Sequence, residues 1–171
     1  MNAWTGILIA ILVGLASALQ TAMLGALGRG RAPAEAAWVS LLGSVVGISA
    51  VMLIRTVRGD SVMPPPLDRA WPYLGVLAVG VAALALSMRG VPWYLGVAGL
   101  GGVIFLATAA FLVPRLGVAL FFGATTAGSV VGALLLDQMG AFGATPTPAS
   151  VARVGGMALI MIGVIVTRLG R

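Results

Sequence analysis

The sequence predicts an all-α integral membrane protein, an antiparallel bundle of six transmembrane helices, and three observations lead there. Hydrophobic residues make up 60% of the 171 and charged residues only 8%, against about 25% charged in a soluble domain, so there are too few charges to coat a water-exposed surface. Mean hydropathy is +1.12. The apolar residues also fall into runs of about 20, the length of one bilayer crossing, and the charges gather between the runs. Residues 1–171 therefore read as a single transmembrane domain. The spans of a β-barrel would be shorter and alternating, and the runs here are neither.

The first span runs over about 4–28 without a charge and is closed by Arg29 and Arg31. Ala16-Ser17-Ala18 resembles a signal-peptide cleavage site, but the apolar run continues past it and only the chain's own amino group is positive ahead of it. The second span, about 36–54, opens after Pro33 and Glu35, which suit a helix N-terminus; Glu35 reads as a dipole partner rather than a functional carboxylate. Residues 59–69, with Pro64-Pro65-Pro66, form a linker expected to be an extended strut outside the hydrocarbon.

The third run, about 70–88, is just long enough to cross, and the fourth, about 92–113, follows after a very short turn. Hydropathy favours six crossings, with a five-span bundle in which 70–88 does not span as the alternative. Pro114-Arg115-Leu116-Gly117 is expected to turn the chain into the fifth span, about 118–136, which stops at Asp137. After a loop with two prolines and two glycines comes the sixth, about 149–167. Such short turns dictate an up-and-down bundle.

The net charge of +6 does not point to nucleic acid. The ten basic residues are all arginine and stand singly or in pairs at the ends of apolar runs, with no stripe to follow successive phosphates, so lipid headgroups fit them better. With six crossings, six arginines lie on the side of the termini and Arg29, Arg31, Arg89 and Arg153 on the other, a weak bias towards cytoplasmic termini. Cysteine and histidine are both absent. That removes disulfides, thiolate nucleophiles, imidazole bases and the usual zinc and haem ligands together. No enzyme, metal or cofactor is expected.

Polar groups within hydrocarbon are costly and tend to face the bundle interior. Ser17, Gln20 and Thr21 share a face of the first span, and Thr125, Thr126 and Ser129 a face of the fifth. These six are the candidate substrate pathway. Gln20 carries the most hydrogen-bonding capacity, though an interhelical clamp explains it equally well, and hydroxyls can bond their own helix carbonyls. Asp137 is a candidate coupling carboxylate or an interface residue paired with an arginine. Glycine, at 25 residues, sits within spans: Gly128 and Gly132 have the spacing of close helix packing, Gly14, Ala18 and Ala22 form a similar ridge, and Gly155 and Gly156 are assigned the same role.

Taken in order, Leu19-Gln20 followed by Leu24 to Arg29, Ser40 to Gly47, Pro92 to Gly96 with Gly101-Gly102, Pro114 to Gly117, Leu136-Asp137 with Gly140, and Arg153 to Gly156 with Gly163 resemble the YdcZ-like branch of the drug/metabolite transporter (DMT) superfamily. The resemblance covers most of the chain outside 59–89. It implies a bacterial inner-membrane, multi-pass transporter of a small solute that it does not name. It also implies a homodimer, since larger relatives join two such units in inverted arrangement; the near balance of arginines fits a dual-topology pair. Gly128-Ser129 stands where relatives often have Gly-Gln, the first-helix glutamate of small multidrug exporters is absent, and 70–88 has no counterpart in the five-span pattern. Transport by alternating access is the expected function, with a non-transporting scaffold or accessory subunit as the alternative.

Overall fold

The computed structural model describes residues 2–60 and 62–170. Helix α1 spans Ala3–Gly30, α2 Pro33–Val57, α3 Ala70–Ser87, α4 Ala98–Leu116, α5 Val118–Met139 and α6 Val151–Leu169, with 3-10 turns at Trp93–Val97 and Ala141–Gly143. No strand occurs among the described residues. With the 3-10 turn at Trp93 continuing into α4, all six helices are long and apolar enough to cross a bilayer.

Local chemistry sets the ends. Asn2 Oδ1 accepts from the Thr5 backbone N–H at 2.8 Å, and Ser150 Oγ accepts from that of Arg153 at 3.2 Å, so each satisfies a donor at a helix start. Pro33 opens α2, where its missing N–H costs nothing, and Glu35 sits in the first turn beside the positive end of the dipole. Gly140 closes α5 in the left-handed conformation. Two expectations need correction. The turn between α4 and α5 is Gly117 alone, at φ 79°, with Pro114, Arg115 and Leu116 inside the last turn of α4. Its N–H closes α4 on the Val113 carbonyl at 2.8 Å and its own carbonyl accepts from Phe121 at 3.1 Å. The proline linker is not a strut throughout: the Leu67 N–H bonds the Pro64 carbonyl at 2.9 Å, and Tyr73 Oη donates to the Leu67 carbonyl at 2.9 Å, so the first turn of α3 holds the linker in a bend.

The chain divides into two compact units, Met1–Ala26 with Ile104–Arg171, and Leu27–Val103. In the first, the core is Ile7 and Ala10 of α1, Leu112 and Leu116 of α4, Leu120, Phe121, Ala124 and Ala127 of α5, and Val164 of α6. Along α1 the inward positions Ile7, Ala10, Gly14 and Ala18 are spaced three, four and four apart, and along α5 Phe121, Ala124, Gly128 and Gly132 repeat that spacing. A Cβ on Gly14 would stand 2.0 Å from the Thr125 carbonyl oxygen, and one on Gly128 2.0 Å from that of Ile11. Only hydrogen fits at either position, so the backbones touch, as small-residue crossings in membranes allow. Ile11 meets Gly128 while Ala18 meets Gly132, so numbering rises together and α1 and α5 run parallel.

Helix α6 lies on α5 through Ile160 and Val164. Its glycines depart from expectation, because a Cβ added at Gly155, Gly156 or Gly163 would meet nothing within 4 Å. At about 100° per residue, Gly155 points away from the Ile160 and Val164 line and Gly156 lies at its edge. Neither makes a close helix contact among the described residues.

The second unit repeats the device with other helices. Gly99 of α4 would place a Cβ 2.3 Å from the Ser40 carbonyl oxygen, and Gly43 of α2 would place one 3.0 Å from that of Gly96. Ser44 Oγ adds a hydrogen bond to the Gly99 carbonyl at 2.7 Å. Gly43 faces Gly96 and Gly99 while Gly47 faces Leu100 and Val103, so α2 and α4 are parallel. Two successive parallel helices need a full return pass between them, and α3 is that pass. It runs antiparallel to α2, with Gly80 against Val46 and Trp38 Nε1 donating to Ser87 Oγ at 3.2 Å. At its far end the Arg31 guanidinium donates to the carbonyls of Ser87 at 2.5 Å and Arg89 at 2.7 Å, satisfying acceptors that a helix terminus leaves unpaired. Residues 70–88 therefore contribute a complete helix of this unit rather than a shallow arm.

Candidate functional site

Immediately C-terminal to the glycine crossing on both α1 and α5, the first unit holds an open-sided chamber of about 480 Å³ walled by these two helices, within the range of small-molecule sites. Helix α1 supplies Ser17, Ala18, Thr21 and Ala22; α5 supplies Ser129, Val130, Ala133, Leu136 and Asp137. The polar groups have defined directions. Ser17 Oγ donates to the Val13 carbonyl at 3.0 Å, Thr21 Oγ1 to that of Ser17 at 2.9 Å, and Ser129 Oγ to that of Thr126 at 2.9 Å. Asp137, at the end of α5, is ion-paired through Oδ2 with Nη2 of Arg153 in the first turn of α6. Its backbone carbonyl accepts from the Thr147 N–H at 2.8 Å. The loop between α5 and α6 is thus tied back to the chamber's edge.

The structure brings together four of the seven polar candidates, Ser17, Thr21, Ser129 and Asp137, and leaves three apart. Gln20 is half-buried and does not line the chamber. On a helix of about 100° per residue, Ser17, Thr21, Ala18 and Ala22 sweep one arc, and Gln20 falls about 60° beyond Ser17 on the other side. Thr125 is buried in the crossing, its hydroxyl placed 3.0 Å from the carbonyls of both Phe121 and Phe122 and its own carbonyl against Gly14. Thr126 is exposed and faces a different cleft of about 300 Å³ between α5 and α6, beside Gly163 and Thr167. The shared hydroxyl face on α5 is therefore divided three ways.

Sequence reasoning expected an arginine partner for Asp137 without naming Arg153, although the two charges bracket one loop and that placement was a usable signal. It placed Ala22 in a packing ridge and passed over Ala133, and both line the chamber. In the second unit a further cavity of about 330 Å³ is apolar, lined by Val46, Leu84, Met88, Trp93 and Leu100 among others. Among the described residues, no three of Asp, Glu, His or Cys gather as a metal site would require.

The family described as "Putative inner membrane exporter, YdcZ" matches residues 5–166, which includes the 59–89 segment that the motif resemblance left out. No curated protein and no solved structure matches the chain. A match over nearly the whole length, on six helices fit to cross a bilayer, makes this a multi-pass inner-membrane transporter protein, and the chain belongs to this YdcZ family.

Proposed function

We propose that this protein exports a small solute by alternating access through the chamber between α1 and α5. One observation carries the reading: a volume of about 480 Å³ that joins three hydroxyls and a carboxylate directly beside a backbone-to-backbone crossing. Costly polar groups inside a membrane bundle mark pathways. A glycine crossing without interlocking side chains gives the two helices a surface on which small shifts are cheap, as hinge and shear motions need. The route uses Ser17, Thr21, Ser129 and Asp137, and leaves out Gln20, Thr125 and Thr126. In this proposal the working form is a homodimer, as the two-unit relatives imply. Its mass in nanodiscs checks that part, and a transport-competent monomer overturns it.

The test fills the chamber. Ala133 lines it and is exposed to it, so Ala133→Phe should lower solute flux from proteoliposomes by about tenfold while the melting temperature stays unchanged. Full flux through the filled chamber would place the route elsewhere.

A further inference from the structure

The directions of the hydrogen bonds in the chamber say what kind of solute suits it. A serine or threonine hydroxyl has a single proton to donate and two lone pairs with which to accept. In Ser17, Thr21 and Ser129 that proton goes to a carbonyl of the residue's own helix, Val13, Ser17 and Thr126 respectively. What remains towards the chamber is lone pairs. The other lining residues of both helices are alanine, valine and leucine, apart from Asp137, and these side chains donate nothing. Backbone N–H groups within the helices are bonded along the helix. Asp137 is acceptor-only when ionised, and the ion pair with Arg153 uses Oδ2, leaving Oδ1 for a further donor. Arg153 itself does not line the chamber. The wall thus offers acceptors from end to end, with one carboxylate at the rim whose charge is shared with the Arg153 guanidinium.

From this we propose that the chamber selects a small primary ammonium solute, one that brings several N–H donors and a positive charge. This rests on the reading of the chamber as the export route. An anion would face lone pairs and a carboxylate with no donor to meet it. A quaternary ammonium brings the charge but no N–H for the three hydroxyl oxygens to accept, so it forgoes the charge-assisted hydrogen bonds that a primary ammonium gains there. The ammonium protons are matched by the hydroxyl oxygens of Ser17, Thr21 and Ser129, and its charge by Asp137. The alanine and valine methyls accommodate a short alkyl part.

The experiment uses the full-length protein in proteoliposomes at a pH near 6, with ethanolamine, choline and glycolate as small solutes that each carry one hydroxyl and differ in the charged group. Ethanolamine should leave about tenfold faster than either of the others. Asp137→Asn should remove most of the preference for ethanolamine over glycolate. Arg153→Gln breaks the same ion pair but keeps the carboxylate, and should retain that preference; equal loss in both variants would show that Asp137 acts only through the pair and would overturn its role in selection. Thr21→Val, which keeps the shape and removes the acceptor, should raise the half-saturating ethanolamine concentration by about fivefold and leave choline unaffected. Choline or glycolate moving as fast as ethanolamine overturns the ammonium inference alone. If none of the three moves, and Ala133→Phe changes no flux in a wider solute panel, the export route itself falls.

Discussion

The two units solve the same packing problem and differ in what they place beside the solution. In one, Gly14 and Gly128 bring α1 and α5 together; in the other, Gly43 and Gly99 do so for α2 and α4. Both pairs are parallel, and each carries a more peripheral antiparallel helix, α6 on α5 and α3 on α2. Those outer helices bury little of their apolar surface, with Val164 the buried residue of α6 and Gly80 that of α3, which suits a surface solvated by lipid chains as apolar as leucine. Yet the first unit has hydroxyls and a carboxylate around its cavity, while the second has Met88, Trp93 and aliphatic side chains. In the second unit the polar groups are consumed in structure: Ser44 joins α2 to α4 and Arg31 caps α3. The contrast teaches that the glycine crossing is a scaffold common to both, and that the placement of a few polar side chains relative to it separates the proposed transport route from a structural seam.

The most severe way to break the comparison is to fill a crossing. Gly128→Val inserts side-chain atoms where a carbonyl oxygen already stands 2.0 Å from the Cβ position. It should cost at least about 3 kcal/mol, seen as loss of the cooperative thermal transition in detergent; full stability would disprove the backbone contact. Arg31→Gln should be milder, about 2 kcal/mol for charged hydrogen bonds to two carbonyls. It should loosen α3 specifically, read as faster hydrogen exchange in 70–87 while α5 is unchanged. Ser44→Ala removes one interhelical hydrogen bond and should lower stability by about 0.6 kcal/mol without altering flux, which sharpens the division of roles between the units. At the small end, Gly156→Ala meets open space and should shift the melting temperature by less than about 2 °C in monomeric protein, slightly upward because alanine favours a helix.

Much of this was legible in the chain. Six apolar runs bounded by arginines, acids, prolines and glycines gave the helices to within a few residues, because crossing length and backbone satisfaction in lipid act locally on sequence. The crossing glycines Gly128 and Gly132 were readable from their spacing, and Asp137 from its isolation at a helix end. The candidate site was only half legible. Ser17, Gln20 and Thr21 look equivalent at helical spacing, and so do Thr125, Thr126 and Ser129, because periodicity defines which residues share a face and not which neighbour that face meets.

By itself, then, the sequence determined where the apolar helices lie and the family they belong to, and favoured six crossings over five, since hydrophobicity, length and terminal residues are properties of each segment alone. The tertiary structure decided that Gly14 stacks on α5 while Gly155 and Gly156 meet open space, that α3 makes a full return pass, and that Arg153 answers Asp137. It also set Gln20 aside and drew Ser17, Thr21 and Ser129 around one chamber. In lipid no difference in solvent marks the inward face of a helix, so the contact itself, fixed by shape between segments far apart in the chain, makes that choice.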